Sequence, residues 1–221
     1  AIELIHIYSL IHDDLPAMDD DDIRHNQPSS HKVYGEAQAI LAGDGLQALA
    51  FEVISSDDLI DSDTKVKLLN LLSISAFKMA EGQSIDLSIV SKEVDIDLLN
   101  NMHEKKTGSL LNCSVMLGAI INPKISEKDL SILNSFSSLI GLAYQVQDDV
   151  LDVTTSGEVL GKRQNSDAVK NKPSYPSILG LDESVNKYES HYQKALDEIS
   201  QLSVNEESLR DLTIKLKKRS F

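Results

Sequence analysis

Apolar residues recur every three or four positions along most of the chain, the spacing that lines one face of an α-helix. Ile2, Ile5, Tyr8 and Ile11 form one such stripe, Leu69, Leu72, Ala76 and Ala80 a second, and Leu110, Met116 and Leu117 a third. The longest runs through Val185, Tyr188, Tyr192, Ala195, Ile199 and Leu202. Strand-like alternation is missing. Breaks fall at Pro16, Asn26-Gln27-Pro28, Ser56-Asp57-Asp58, Asn122-Pro123, Thr155-Ser156-Gly157 and Lys172-Pro173. Ser126 with Asp129, and Asp182 after Gly180, read as helix starts. The pattern predicts an all-α, single-domain helical bundle of about eight helices.

Composition narrows the field. The 221 residues carry a formal net charge of −14, which leaves no basic face for a nucleic-acid backbone or an anionic membrane surface. No run reaches the roughly 18 uninterrupted apolar residues of a membrane span. Cys113 is the lone cysteine, set in an apolar stretch, which fits a reducing, cytoplasmic compartment. The chain opens at Ala1 inside an amphipathic run and carries no secretory pattern there.

The acid is concentrated. Residues 12–24 read His-Asp-Asp-Leu-Pro-Ala-Met-Asp-Asp-Asp-Asp-Ile-Arg. Carboxylates this close repel unless they are solvated or neutralised by cations, and carboxylate oxygens are the ligands Mg²⁺ prefers. On a straight helix Asp13 and Asp19 would stand about 240° apart. A helix bulged at Pro16 would let Asp13, Asp14 and Asp19 converge. A solvated acidic loop is the alternative. The second cluster, Tyr144-Gln145-Val146-Gln147-Asp148-Asp149-Val150-Leu151-Asp152, lies in a strongly apolar helix. Asp148 and Asp152 share a face one turn apart, and acids so embedded point to metal or paired charge rather than to a solvated surface. Two such helices suggest two metal-loaded walls of one cleft.

Bases that could hold an anion accompany them: Arg24, Lys106 with Thr107 and Gly108 at the start of an apolar helix, Lys162 with Gly161 and Arg163, and Lys172. Each alone also suits a solvated surface. Gly82, Gln83 and Asp86 form a further polar set on a helix lined by Ala76, Phe77 and Ala80.

In their order and spacing these motifs resemble the polyprenyl diphosphate synthases, the bacterial farnesyl type among them. The resemblance covers essentially the whole chain and implies a catalytic domain over residues 1–221 that lacks its N-terminal helices. It implies helices around a central substrate cavity, an isoprenoid synthase-like fold, and a homodimer. It implies three Mg²⁺ bound through Asp13, Asp14, Asp19, Asp148, Asp149 and Asp152. Arg24, Lys106 and Lys162, with Lys172 nearby, would hold diphosphate oxygens, and Thr107 and Gln145 would face the developing allylic cation. The substrates implied are isopentenyl diphosphate and an allylic diphosphate, joined by ionisation, condensation and proton loss. His12 adjoins the first cluster and reads as a packed histidine rather than a base.

Tyr8, five positions before Asp13, is large enough to floor the cavity. In this family an aromatic there, with the Pro16-Ala17 insertion, goes with a fifteen-carbon product. Synthases stopping at ten or twenty carbons are the nearest alternatives. His25 stands where the family usually has a second Arg used for isopentenyl diphosphate. It would be only partly charged near neutral pH, and a non-catalytic regulatory subunit is the alternative from another class.

Overall fold

The computed structural model of the chain describes residues 1–155 and 171–219. These form two compact units, Ala1–Ile74 and Ser75–Phe221.

In the first unit, α1 (Ile2–Asp13) packs along α3 (Glu36–Ser55). Ile5, Ala39 and Ala50 are fully or almost fully buried. Each such aliphatic side chain removed from water is worth about 1.5–3 kcal/mol, less for alanine. Near the end of α1, the Nε2 of His12 sits 3.0 Å from the carbonyl oxygen of Ile40. A Cβ added at Gly43 would overlap that nitrogen, so the glycine makes room for the ring. The histidine is thus packed and bonded to backbone.

The helix does not continue through Pro16 as a bulge. It ends at Asp13, and the chain turns back so that the Asp19 N–H donates to the Asp13 carbonyl at 2.9 Å. A two-strand hairpin follows, β1 (Ile23–Arg24) paired with β2 (Gln27–Pro28). Periodicity could not register two-residue strands. Its loop residues His25 and Asn26 both have positive φ, 50° and 60°, as a primed two-residue turn requires. One turn of helix, α2 (Ser30–Tyr34), leads into α3.

By length and composition α3 could cross a membrane. It carries Glu36, Asp44 and Glu52, however, and lies along α1. Ile40, Leu41, Leu49 and Val53 on it are exposed.

The long α4 (Ser62–Ile89) leads into the second unit. Its buried positions include Leu68, Leu72, Ala76 and Met79, while Phe77 is 69% exposed. In the sequence stripe the position after Leu72 and Ala76 is Ala80, but Ala80 is exposed, and Met79 takes its place on the buried face. Next come α5 (Ile96–His103), a π-helical turn (Glu104–Gly108) and α6 (Ser109–Ile120), one uninterrupted helical run. Lys106 and Thr107 therefore lie in the middle of that run, not at a helix start. The second unit continues through α7 (Glu127–Thr154), α8 (Tyr175–Leu179), α9 (Leu181–Ile199) and α10 (Glu207–Lys217). The long apolar stripe packs α9 against α7, with Tyr192, Ala195 and Ile199 meeting Phe136, Ile140 and Ala143.

The start of α7 follows the capping rule. The Ser126 side chain accepts from the Asp129 N–H at 3.0 Å. Asp129 in turn accepts from the Ser203 N–H at 2.8 Å and the Ser203 hydroxyl at 2.6 Å, tying the loop between α9 and α10 to α7. The Ser126 hydroxyl and these Ser203 bonds hold its carboxyl down at about 2.

Candidate active site

In the first unit the acidic loop is built by the turn after α1. Asp14 is 2% exposed, and one of its oxygens accepts from both the Nε and an Nη of Arg24. A guanidinium anchored at two points is held in orientation as well as in place. Burial alone would lower the pKa of Arg24; the bond to Asp14, with the charges of Asp14, Asp13 and Asp21, outweighs this and raises it. Asp13 and Asp19 are half-buried and meet through their backbones. His25 is exposed at the hairpin tip. Tyr8 is half-buried on α1, its ring edge-on to His12 at a centroid distance of 5.0 Å. Its hydroxyl pKa is raised by burial and then by the charge of Asp44 on α3.

In the second unit α4, the π turn and α7 bring the other residues together. The Nζ of Lys106 donates to Asp86 Oδ2 at 2.7 Å, and that of Lys172 donates to the same oxygen at 2.9 Å. One buried carboxylate on α4 thus gathers two ammonium groups from distant parts of the chain. Burial would raise the Asp86 pKa, but the two lysines overcome it and keep the carboxyl below its usual range. In the sequence Asp86 stands only as part of a polar set, with nothing to mark this role.

The π turn is clamped from both sides. A Cβ at Gly82 on α4 would overlap the Lys106 backbone nitrogen, and one at Gly141 on α7 would lie 2.9 Å from Gly108 Cα. Only glycines allow three backbones to approach this closely. The widened turn carries Lys106 and Thr107, and such π segments are frequent at functional sites.

Thr107 Oγ1 donates to Gln145 Oε1 at 3.1 Å, and Gln145 Nε2 donates to Asp149 Oδ1 at 3.1 Å. The other Asp149 oxygen accepts the Tyr175 N–H at 3.0 Å. An ionised carboxylate only accepts, so Asp149 fixes which way the Gln145 amide faces. The oxygen is turned to Thr107, and two electron-rich oxygens stand side by side. Asp152 is 2% exposed, whereas the Asp148 side chain is 40% exposed one turn before it. Near Asp148 lies Arg219, a residue that motif spacing could not find because it comes from the far end of the chain. It reaches Tyr144 O at 2.8 Å and Gln147 Oε1 at 3.1 Å, and lies 3.7 Å from Asp148. Lys162, Gly161 and Arg163 lie outside the described residues.

His103, buried on α5, stacks on Tyr175 with ring centroids 5.4 Å apart. Its Nε2 is 3.8 Å from Asp149, whose charge would favour a protonated ring. Burial nevertheless prevails. The His103 pKa is pushed down to about 3 from 6.5, by burial and by Lys106 and Lys172 against the opposing pull of Asp86. The unfolded chain therefore takes up a proton below about 6.5 that the folded chain refuses until about 3. Stability is expected to fall as the pH drops through that window, by on the order of 4 kcal/mol across it. His103→Asn should flatten this part of a urea-melt pH series; an unchanged slope would place the effect elsewhere.

The donor set fits a hard, oxygen-seeking ion. In the first unit the turn after α1 offers carboxylate oxygens; in the second unit α7 offers its own, with Asp148 partly open to solvent.

The polyprenyl synthetase family model matches residues 1–211, and the chain belongs to this family. It is 42% identical over 216 residues to the farnesyl diphosphate synthase of Bacillus subtilis, covering 96% of this chain and 73% of that protein. It is also 42% identical over 203 residues to the geranylgeranyl diphosphate synthase of Cyanophora paradoxa, covering 90% of this chain and 67% of that one. Among solved structures it resembles the geranyltransferase of Helicobacter pylori complexed with magnesium and isoprenyl diphosphate. That match has a TM-score of 0.86 at 33% identity, and covers 97% of this chain and 71% of that one. The fold is the all-α fold of the isoprenyl diphosphate synthases, and the chain is a trans-prenyltransferase.

Proposed function

We propose that the protein makes farnesyl diphosphate from isopentenyl diphosphate and dimethylallyl or geranyl diphosphate. The observation that carries the reading is the Thr107–Gln145–Asp149 chain beside the two lysines clasped on Asp86. It joins an anion-holding pair to two oxygens suited to a neighbouring carbocation. In the reaction the allylic C–O bond breaks and diphosphate leaves with the electron pair. The double bond of isopentenyl diphosphate then supplies the electrons of the new C–C bond, and the proton lost goes to the released diphosphate.

Lys106, Lys172, Arg24 and Lys162 would bind diphosphate oxygens, and His25 would face isopentenyl diphosphate. Asp13, Asp19, Asp148 and Asp152 would hold three Mg²⁺. Asp14 and Asp149, each bonded to protein groups here, would orient Arg24 and Gln145 at the edge of that set. When bound, Mg²⁺ would supply the positive charge that stabilises the departing diphosphate. The exposed Ile40, Leu41, Leu49 and Val53 of α3 favour a homodimer in which a second copy covers them. A cytoplasmic setting agrees with the fully buried free thiol of Cys113. Residues 1–221 would belong to one polyprenyl synthetase catalytic domain.

The test is incubation with isopentenyl diphosphate, an allylic diphosphate and Mg²⁺, with the product identified by mass. A fifteen-carbon product abolished by chelator is the expected result, and absence of condensation would overturn the reading. Tyr8→Ala is expected to shift the product toward twenty carbons or more, because a ring of this size before the acidic loop would block a longer chain. An unchanged product distribution would remove Tyr8 from length control.

A further inference from the structure

Beyond the residues assigned to diphosphate chemistry, the first unit holds a different cluster. A ring nitrogen of His31 and carboxylate oxygens of Asp20 and Asp22 all lie within 4.8 Å of one another. The acids alone would mean little, since both are exposed and exposed acids are common without a metal. His31 changes the picture. It is 6% exposed, and among the described residues its Nε2 has no hydrogen-bond partner. Leaving a buried ring nitrogen without a partner is unfavourable, and such atoms usually mark an ion or a water. The other ring nitrogen, Nδ1, lies 3.1 Å from the Ser29 hydroxyl. If Nδ1 carries the proton and donates it there, Nε2 is left with a lone pair and a fixed aim. This is the outer-shell arrangement of a metal-ligating histidine.

The backbone prepares the same geometry. Asp22 precedes β1 and Ser29 follows β2, and the Ser29 N–H donates to the Asp22 carbonyl at 2.9 Å. The foot of the hairpin is thereby closed, with Asp22 on one side and His31 just past the other. Asp20 is held on the approach in a left-handed backbone conformation, φ 51°. Lys32 pairs with Asp22 Oδ1 at 2.7 Å and stands where an arriving cation would compete with it.

We propose that Asp20, Asp22 and His31 form a binding site for a transition-metal dication such as Zn²⁺, separate from the proposed magnesium ligands. One imidazole and two carboxylates favour an ion that accepts nitrogen, where Mg²⁺ prefers oxygen alone. Three protein ligands leave a further position for water. Because the site closes the foot of the hairpin, its occupant would stiffen the segment that carries Arg24 and His25.

The test is equilibrium dialysis of the full chain with Zn²⁺ in excess Mg²⁺, followed by the visible spectrum of the Co²⁺-substituted form. Wild type is expected to bind one equivalent. Asp20→Asn and His31→Asn should each weaken it by about tenfold or more, while Asp148→Asn retains it. Asp20 is exposed, so Asp20→Asn decides the matter even where His31→Asn fails to fold. No binding by wild type, or binding unchanged in Asp20→Asn, would overturn the site, as would an equal loss in Asp148→Asn.

Discussion

Asp149→Asn is expected to leave the fold nearly intact while lowering turnover about a hundredfold. Asp149 is 3% exposed and accepts from the Tyr175 N–H and from Gln145. Asparagine keeps one oxygen, and the buried backbone N–H of Tyr175 has first claim on it. The new amide N–H₂ then faces Gln145, which must turn over to offer its own oxygen. Hydrogen bonds are largely regained, so the stability lost should be about 1 kcal/mol. The turned amide, however, points N–H rather than oxygen at Thr107. A positive dipole end replaces a negative one beside the proposed carbocation, and about 2.7 kcal/mol of barrier corresponds to a hundredfold.

The double variant Gln145→Glu with Asp149→Asn separates this from a loss of metal. The introduced glutamate accepts from the introduced amide with one oxygen and turns the other to Thr107. Recovery of kcat by about tenfold at unchanged Mg²⁺ is expected. If turnover instead returns in the single variant when Mg²⁺ is raised, Asp149 acts through the metal and the amide argument fails. Asp149→Ala gives the contrast. It strands both donors and should cost about 3 kcal/mol in a denaturant melt.

How much of this could be read from the sequence depends on the range of the interaction. The helical stripes were legible because their period is local, and Val185 to Leu202 packs as its spacing demands. The two acidic clusters stand out in the sequence because acids embedded among apolar residues, as Asp148, Asp149 and Asp152 are, call for a metal or a paired charge. The end of α1 was not. Pro16 is equally at home in a bulge or just after a helix, and the backbone bond from Asp19 to Asp13 decides it. The π turn was hidden because Glu104-Lys105-Lys106-Thr107 has ordinary helical composition; its cause lies in Gly82 and Gly141 on two other helices. Asp86 between two lysines and Arg219 over Tyr144 are long-range pairings that no local spacing encodes.

Gly82→Ala should combine a loss of stability with a loss of turnover. The added methyl would overlap the Lys106 nitrogen and would lie 2.6 Å from its Cα and 2.8 Å from the Lys105 carbonyl carbon. All three are backbone atoms, so no side chain can swing away to relieve the overlap. Overpacking of this kind costs about 1–3 kcal/mol, against the small gain alanine normally brings to a helix. The π turn must move away from α4, taking with it the Lys106 ammonium bonded to Asp86 and the Thr107 hydroxyl bonded to Gln145. A displacement near 1 Å at groups that position a reacting centre is enough to cost about a hundredfold. Gly118→Ala is the control. A Cβ there meets nothing within 4 Å on α6, and the change should stabilise by about 0.4–1 kcal/mol with turnover unaltered. Melting curves and steady-state rates on both variants decide the matter. A Gly82→Ala protein that melts and turns over like wild type would mean the π turn yields freely, and that its clamped geometry is not what holds Lys106 and Thr107 in register.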